Sequence, residues 1–148
     1  MSTKTLKKTP KRRTRLPKGY KPSEDEKFMC ARHKEYFRRK LEAWKQDIYD
    51  QTKSTIEYLK VENVSHPDNV DTAAANADRQ LELRARDRQR KLIAKIDKAL
   101  QRIEDGTYGY CEETGDPIAL ARLDARPIAT LSLEAQEMHE REERARKR

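Results

Sequence analysis

The stretch YCEETGDPIALARLDAR (110–126) holds residues whose types and spacing point to a metal. Cys111, a glycine four residues on and a short basic segment have the outline of half a zinc ribbon. A structural zinc site needs four ligands, most often two Cys-x-x-Cys knuckles. Here the partner of Cys111 is Thr114. The second knuckle belongs about 15–20 residues further on, where the chain has Ser132 and Ala135. Ser and Thr hydroxyls are not ordinary zinc ligands at neutral pH, and alanine has no donor atom. Cys111 and His139 together make only two ligands. The sequence therefore predicts no zinc, and no other cofactor, at Cys111, Thr114, Ser132 and Ala135. Cys111 has two readings. A redox-active thiol wants a resolving cysteine or a cationic neighbourhood, and neither is evident. A buried structural cysteine is preferred.

Asp68 and Asp71, three apart in DNVDTA (68–73), are the second candidate. One of them can cap a helix. Together on an exposed tip they could approach a bound Mg²⁺ or a basic partner surface. The third candidate is LELRARDRQRKLIAK (81–95), where Arg84, Arg86, Arg88, Arg90 and Lys91 alternate with Glu82 and Asp87. Such a run is a solvated helix flank with pairs four residues apart, or a docking strip for an acidic or helical partner. The three histidines, His33, His66 and His139, are scattered. There is no glycine-rich phosphate loop and no nucleophile motif, so the chain is not expected to be an enzyme.

These residues need a scaffold. Phe37, Leu41, Trp44 and Ile48 follow the 4-3-4 spacing of a helical seam. Ser23 and Glu26 form a capping-box pattern ahead of it, so a first helix is expected over about 23–62. The turn-rich NVSHPDNV (63–70) ends it. A second helix is expected over about 71–105, with Ala73, Ala77, Leu81, Arg84 or Ala85, Arg88, Leu92, Ile96, Ala99 and Ile103 along its seam and Gly106 as C-cap. Two long helices joined by a short turn run antiparallel. The result is a coiled-coil finger with its tip at 63–72. Beyond Gly106 a hairpin-like turn surrounds Glu113–Asp116, Pro127 marks a bend, and Ser132 caps a C-terminal helix. Leu131, Leu133, Ala135 and Met138 are expected to pack a small globule there. The fold class is thus mostly α: a long antiparallel hairpin (23–106) between a basic tail (1–22), expected to be disordered, and a small degenerate zinc-ribbon-like segment (107–148).

Composition agrees with a thin structure: 41% of the 148 residues are charged and 34% hydrophobic. Residues 1–19 hold eight basic side chains and no acidic ones; removing those eight from the 34 Lys and Arg leaves 26 against 26 Asp and Glu. The excess of +8 therefore belongs to the tail, which can touch phosphates non-specifically or simply remain solvated. No apolar run reaches membrane length and no apolar signal core follows the N-terminus. A cytoplasmic protein with no membrane partner is expected, with Cys30 and Cys111 as free thiols.

Four blocks in order, YFRRKLEAW (36–44), ELRARDRQRKLIAKI (82–96), YGYCEETG (108–115) and RLDARP (122–127), resemble the DksA/TraR family of RNA polymerase-binding transcription factors. The resemblance covers about residues 23–140. It implies a finger that enters the secondary channel of bacterial RNA polymerase and, with the alarmone ppGpp, inhibits ribosomal RNA promoters and activates some biosynthetic ones, without sequence-specific DNA binding and as a monomer. It implies that the family's Asp-x-x-Asp-x-Ala tip falls on Asp68, Asp71 and Ala73, and that Arg88 docks on polymerase. It implies that Lys95 and Arg126 hold ppGpp against the polymerase β′ rim, with Gln136 where the family has a third cation. It also implies that the four-Cys zinc site is represented by Cys111, Thr114, Ser132 and Ala135. Two other readings compete. A Gre-like transcript-cleavage factor also carries acids on a finger tip, and a basic nucleic-acid binder would depend on the tail.

Overall fold

The computed structural model describes residues 13–62 and 69–148, except the side chains of 58, 59, 61, 62 and 69–72. Residues 1–12 of the expected tail and 63–68 of the expected tip, Asp68 included, lie outside the described residues. Four helices follow in order: α1 (Ala31–Glu62), α2 (Asn69–Asp105), α3 (Leu120–Ala125) and α4 (Leu133–Arg146).

α1 begins eight residues later than the capping box predicts. Ser23 Oγ does accept the N–H of Asp25 (3.2 Å), and the N–H of Glu26 donates to Ser23 O (3.3 Å). These bonds close only an isolated turn. The chain leaves helical geometry at Met29, whose φ is 53°, a left-handed value uncommon outside glycine. Met29 is buried and lies against Gly109, where a Cβ would come within 2.9 Å of the Met29 Cε. The packing of Met29 onto the ribbon-like segment thus accompanies the break in the helix.

α1 and α2 run antiparallel. Lys45 Nζ reaches Asp97 Oδ1 (2.6 Å), and further along α1 the Thr52 hydroxyl reaches back to Gln89 Oε1 on α2 (2.7 Å). Between them Phe37, Leu41 and Ile48 are buried with Ile96, Ala99 and Ile103, as their spacing predicts, and Trp44 and Leu92 are partly buried. Toward the tip the expected seam is not buried: Leu81 is 62% exposed, and Ala73, Ala77, Arg84 and Arg88 are exposed. Over 73–81 every residue of α2 is exposed, so this end of the finger carries no buried seam on α2.

α2 ends as expected. Gly106 takes φ 81°, and the N–H of Thr107 donates to Arg102 O (3.0 Å), a C-terminal cap that satisfies a free carbonyl. Tyr110 and Pro117 then form one antiparallel bridge. The N–H of Cys111 donates to Asp116 O (2.8 Å) and that of Gly115 to Cys111 O (3.0 Å), closing the expected hairpin-like turn. Tyr108 is buried beside Phe37, ring centroids 5.6 Å apart, and its hydroxyl donates to Pro127 O (2.7 Å).

α3 is absent from the sequence expectation, because six residues between two prolines show no periodicity. It buries Leu123, and Asp124 beside it accepts from Tyr36 Oη (2.8 Å) and Lys40 Nζ (2.6 Å) on α1. Ser132 caps α4, accepting the N–H of Ala135 (3.3 Å). Of the expected globule residues, Ala135 is buried and Leu131 partly so, but Leu133 and Met138 are 58% and 60% exposed. α4 is held by its first turn and by a polar contact of His139 with Glu113, so Leu133 and Met138 stay in solvent.

Candidate functional site

α2, α3 and the start of α4 enclose a cavity of about 280 Å³ lined by Lys95, Lys98, Arg102, Arg122, Arg126 and Gln136, among others. Five cations therefore face one space, and they divide into two groups. Arg102 donates to Tyr110 O (2.7 Å) and Thr107 O (3.3 Å), and Arg122 Nε donates to Leu131 O (3.1 Å). These two build the wall. Lys95, Lys98 and Arg126 make no side-chain hydrogen bond or ion pair among the described residues. Three uncommitted cations around one concavity suit an anion with several oxygen acceptors.

Lys95, Arg126 and Gln136, placed together only by resemblance in the sequence, thus line one cavity. Lys98 is a residue that the sequence reading missed. Its signal was present: three positions after Lys95, it lies on the same helix face.

The ribbon positions also come together. Burial raises the Cys111 thiol, but hydrogen bonds from the Thr114 hydroxyl and from the backbone of Ser132, Thr114 and Glu113 outweigh it and bring the thiol down to about 6. Cys111 is 3% exposed. The donor set does not fit a four-thiolate zinc ion. Thr114 is spent on the Cys111 sulfur, Ser132 Oγ is spent on the α4 cap, and Ala135 supplies a buried methyl group. The ribbon-like turn thus holds one sulfur surrounded by hydrogen-bond donors.

The remaining candidates spread along the finger. Asp71 is in the first turn of α2, its side chain outside the description, and Ala73 is exposed. On the basic run, Arg86 lies 3.5 Å from Glu82 and Arg90 3.7 Å from Asp87, the flank pairing expected of a solvated helix. Arg84 and Arg88 are exposed and uncommitted among the described residues. Arg88 is thus on the finger's surface, apart from the cavity. No described helix is long and apolar enough to cross a membrane.

The model of the DnaK suppressor protein DksA N-terminal domain matches residues 33–103, and the prokaryotic dksA/traR C4-type zinc finger model matches 106–141. The chain belongs to the DksA family. It is 62% identical over 125 residues to the RNA polymerase-binding transcription factor DksA of Caulobacter vibrioides, covering 84% of this chain and 88% of that one. It is 41% identical over 121 residues to the DksA of Escherichia coli, covering 82% and 80%. The structure of transcription factor DksA2 from Pseudomonas aeruginosa superimposes with a TM-score of 0.73 at 38% identity, covering 79% of this chain and 90% of that one. Across the residues matched by the zinc-finger model, 106–141, this chain carries one cysteine, Cys111.

Proposed function

We propose that this DksA-family chain binds bacterial RNA polymerase directly, with its finger in the secondary channel and its tip, Asp68, Asp71 and Ala73, toward the active site. Arg88, on the finger's exposed flank, docks on polymerase. ppGpp occupies the cationic cavity against the β′ rim, strengthening inhibition of ribosomal RNA promoters and activation of some biosynthetic promoters. The chain itself catalyses nothing and reads no DNA sequence. It acts as a cytoplasmic monomer.

The observation that carries this reading is the cavity with three uncommitted cations at the base of an exposed, polar finger. Sites that enclose a whole small ligand run from about 300 to 1,000 Å³, so about 280 Å³ is small for a nucleotide with two diphosphates. A second surface must complete the site, as a polymerase rim would. Lys98 on α2 supplies positive charge to the same cavity as Gln136 on α4, which offsets the cation that Gln136 lacks.

In vitro transcription from a ribosomal RNA promoter tests this directly. Wild type should inhibit, ppGpp should deepen inhibition, and the Asp68→Asn, Asp71→Asn double variant should bind polymerase without inhibiting. Unchanged initiation by wild type would overturn the reading. Cleavage of backtracked RNA in stalled complexes would replace it with the Gre-like one.

A further inference from the structure

Where the segment before α1 meets the first turn of α1, Glu26, Cys30 and His33, none of which lines the cavity, bring one ligand atom each to within 4.8 Å of one another. Their spacing, four and then three residues, would suit one face of a continuous helix, but the chain reaches it through the left-handed turn at Met29. Cys30 Sγ lies 3.9 Å from Glu26 Oε2, and His33 Nε2 lies 3.0 Å from the same oxygen.

A second observation points to a ligand. His33 is completely buried, and neither ring nitrogen makes a well-formed hydrogen bond among the described residues. Nε2 is close to Glu26 but out of line for a bond, and Nδ1 has no partner. A buried imidazole left unsatisfied is costly, and an ion is one of the few things that accounts for it.

We propose that Glu26, Cys30 and His33 form a site for a divalent transition-metal ion, with three protein ligands and a fourth position left to water. One thiolate, one imidazole and one carboxylate are the borderline donors that suit Zn²⁺. Tetrahedral bonds of about 2.0–2.3 Å put ligand atoms roughly 3.3–3.8 Å apart, so separations of 3.0 and 3.9 Å require only a small adjustment. On binding, the metal takes the place of the Cys30 thiol proton, which leaves to solvent. The Tyr20 hydroxyl already donates to Glu26 Oε2 and orients that carboxylate, the role that outer partners of metal ligands commonly play. Arg32, 3.8 Å from Glu26 Oε1, has a largely exposed side chain that can swing away.

The site would tie the segment before α1 to the helix itself. That segment also carries Met29 against Gly109 and Phe28 against Tyr110, ring centroids 5.4 Å apart. A metal here would brace the ribbon from outside, in a chain whose ribbon lacks three of the family's four thiols.

Cobalt titration of the full-length, metal-stripped, reduced protein tests this. One equivalent of Co²⁺ should bind, with a thiolate-to-cobalt charge-transfer band and ligand-field bands of tetrahedral intensity, and Zn²⁺ should displace it. Cys30→Ser should abolish the charge-transfer band, Glu26→Gln should weaken binding, and Tyr20→Phe should weaken it by about 10- to 100-fold. Cys111→Ser should change nothing. Absence of binding, a band that survives Cys30→Ser, or one that vanishes with Cys111→Ser overturns the proposal. Should circular dichroism show Cys30→Ser unfolded, Glu26→Gln and Tyr20→Phe decide: a titration that neither alters also overturns it.

Discussion

Tyr108→Phe isolates one buried bond inside the ribbon-like segment, between Tyr108 and the bend at Pro127. The ring is 2% exposed and stays in place in the variant, so no cavity opens and the apolar contribution hardly changes. What is lost is the donor to Pro127 O at 2.7 Å. Burial pushes the Tyr108 hydroxyl above the ordinary tyrosine range, so it remains a protonated donor at any practical pH. Pro127 is itself buried, so its carbonyl is left without water to replace the bond. Stranding a buried acceptor costs about 1–3 kcal/mol, against about 0.5–1.5 kcal/mol for an ordinary exchange with solvent. The larger range applies. At roughly 2–4 °C per kcal/mol for a chain of this size, the melting temperature should fall by several degrees. The assay is thermal unfolding followed by circular dichroism, with chelator present so that no metal contributes. Tyr110→Phe is the control, since the Tyr110 hydroxyl makes no hydrogen bond among the described residues, and it should stay within about 0.5 kcal/mol of wild type. A Tyr108→Phe protein that melts with wild type would refute the reasoning that this buried bond stabilises the ribbon-like segment.

Three further outcomes are expected. In a Cys30→Ser background, ultraviolet thiolate absorbance of the folded protein should titrate near 6 instead of 9. Because the folded value is the lower one, the stability that Cys111 contributes is complete above the unfolded value and is lost as pH falls through about 6; Cys111→Ser should remove that dependence. Restoring the knuckles with Thr114→Cys, Ser132→Cys and Ala135→Cys should create a four-thiolate cobalt spectrum that the parent ribbon lacks. Lys98→Ala should reduce the response to ppGpp in transcription while leaving basal inhibition unchanged; an unaltered alarmone response would exclude Lys98 from the site.

Much of the finger was legible because its determinants are local and periodic. Phe37 to Ile48 and Leu92 to Ile103 show their seam in the sequence, and Gly106 and Ser132 end and begin helices for reasons internal to a few residues. The departures come from long-range contacts. The late start of α1 is associated with Met29 packing on Gly109, which lies 80 residues away in the chain. Leu81 has the spacing of a core position, yet α2 is exposed all round over 73–81. Leu133 and Met138 carry apolar side chains that no neighbouring element covers. For the cavity, Lys95, Arg126 and Gln136 came from resemblance, while Lys98 needed the helix face to be seen beside them. His33 looked like an isolated histidine because its burial depends on how the segment before α1 folds back.

The most direct test places a photoactivated crosslinker at position 72, within the finger's tip, and mixes the protein with bacterial RNA polymerase. Insertion of the finger requires crosslinks to the large polymerase subunits where they line the secondary channel, and their loss when a Gre-type factor competes for that channel. Crosslinks confined to DNA or to the outer surface of polymerase, or none at all, would contradict it.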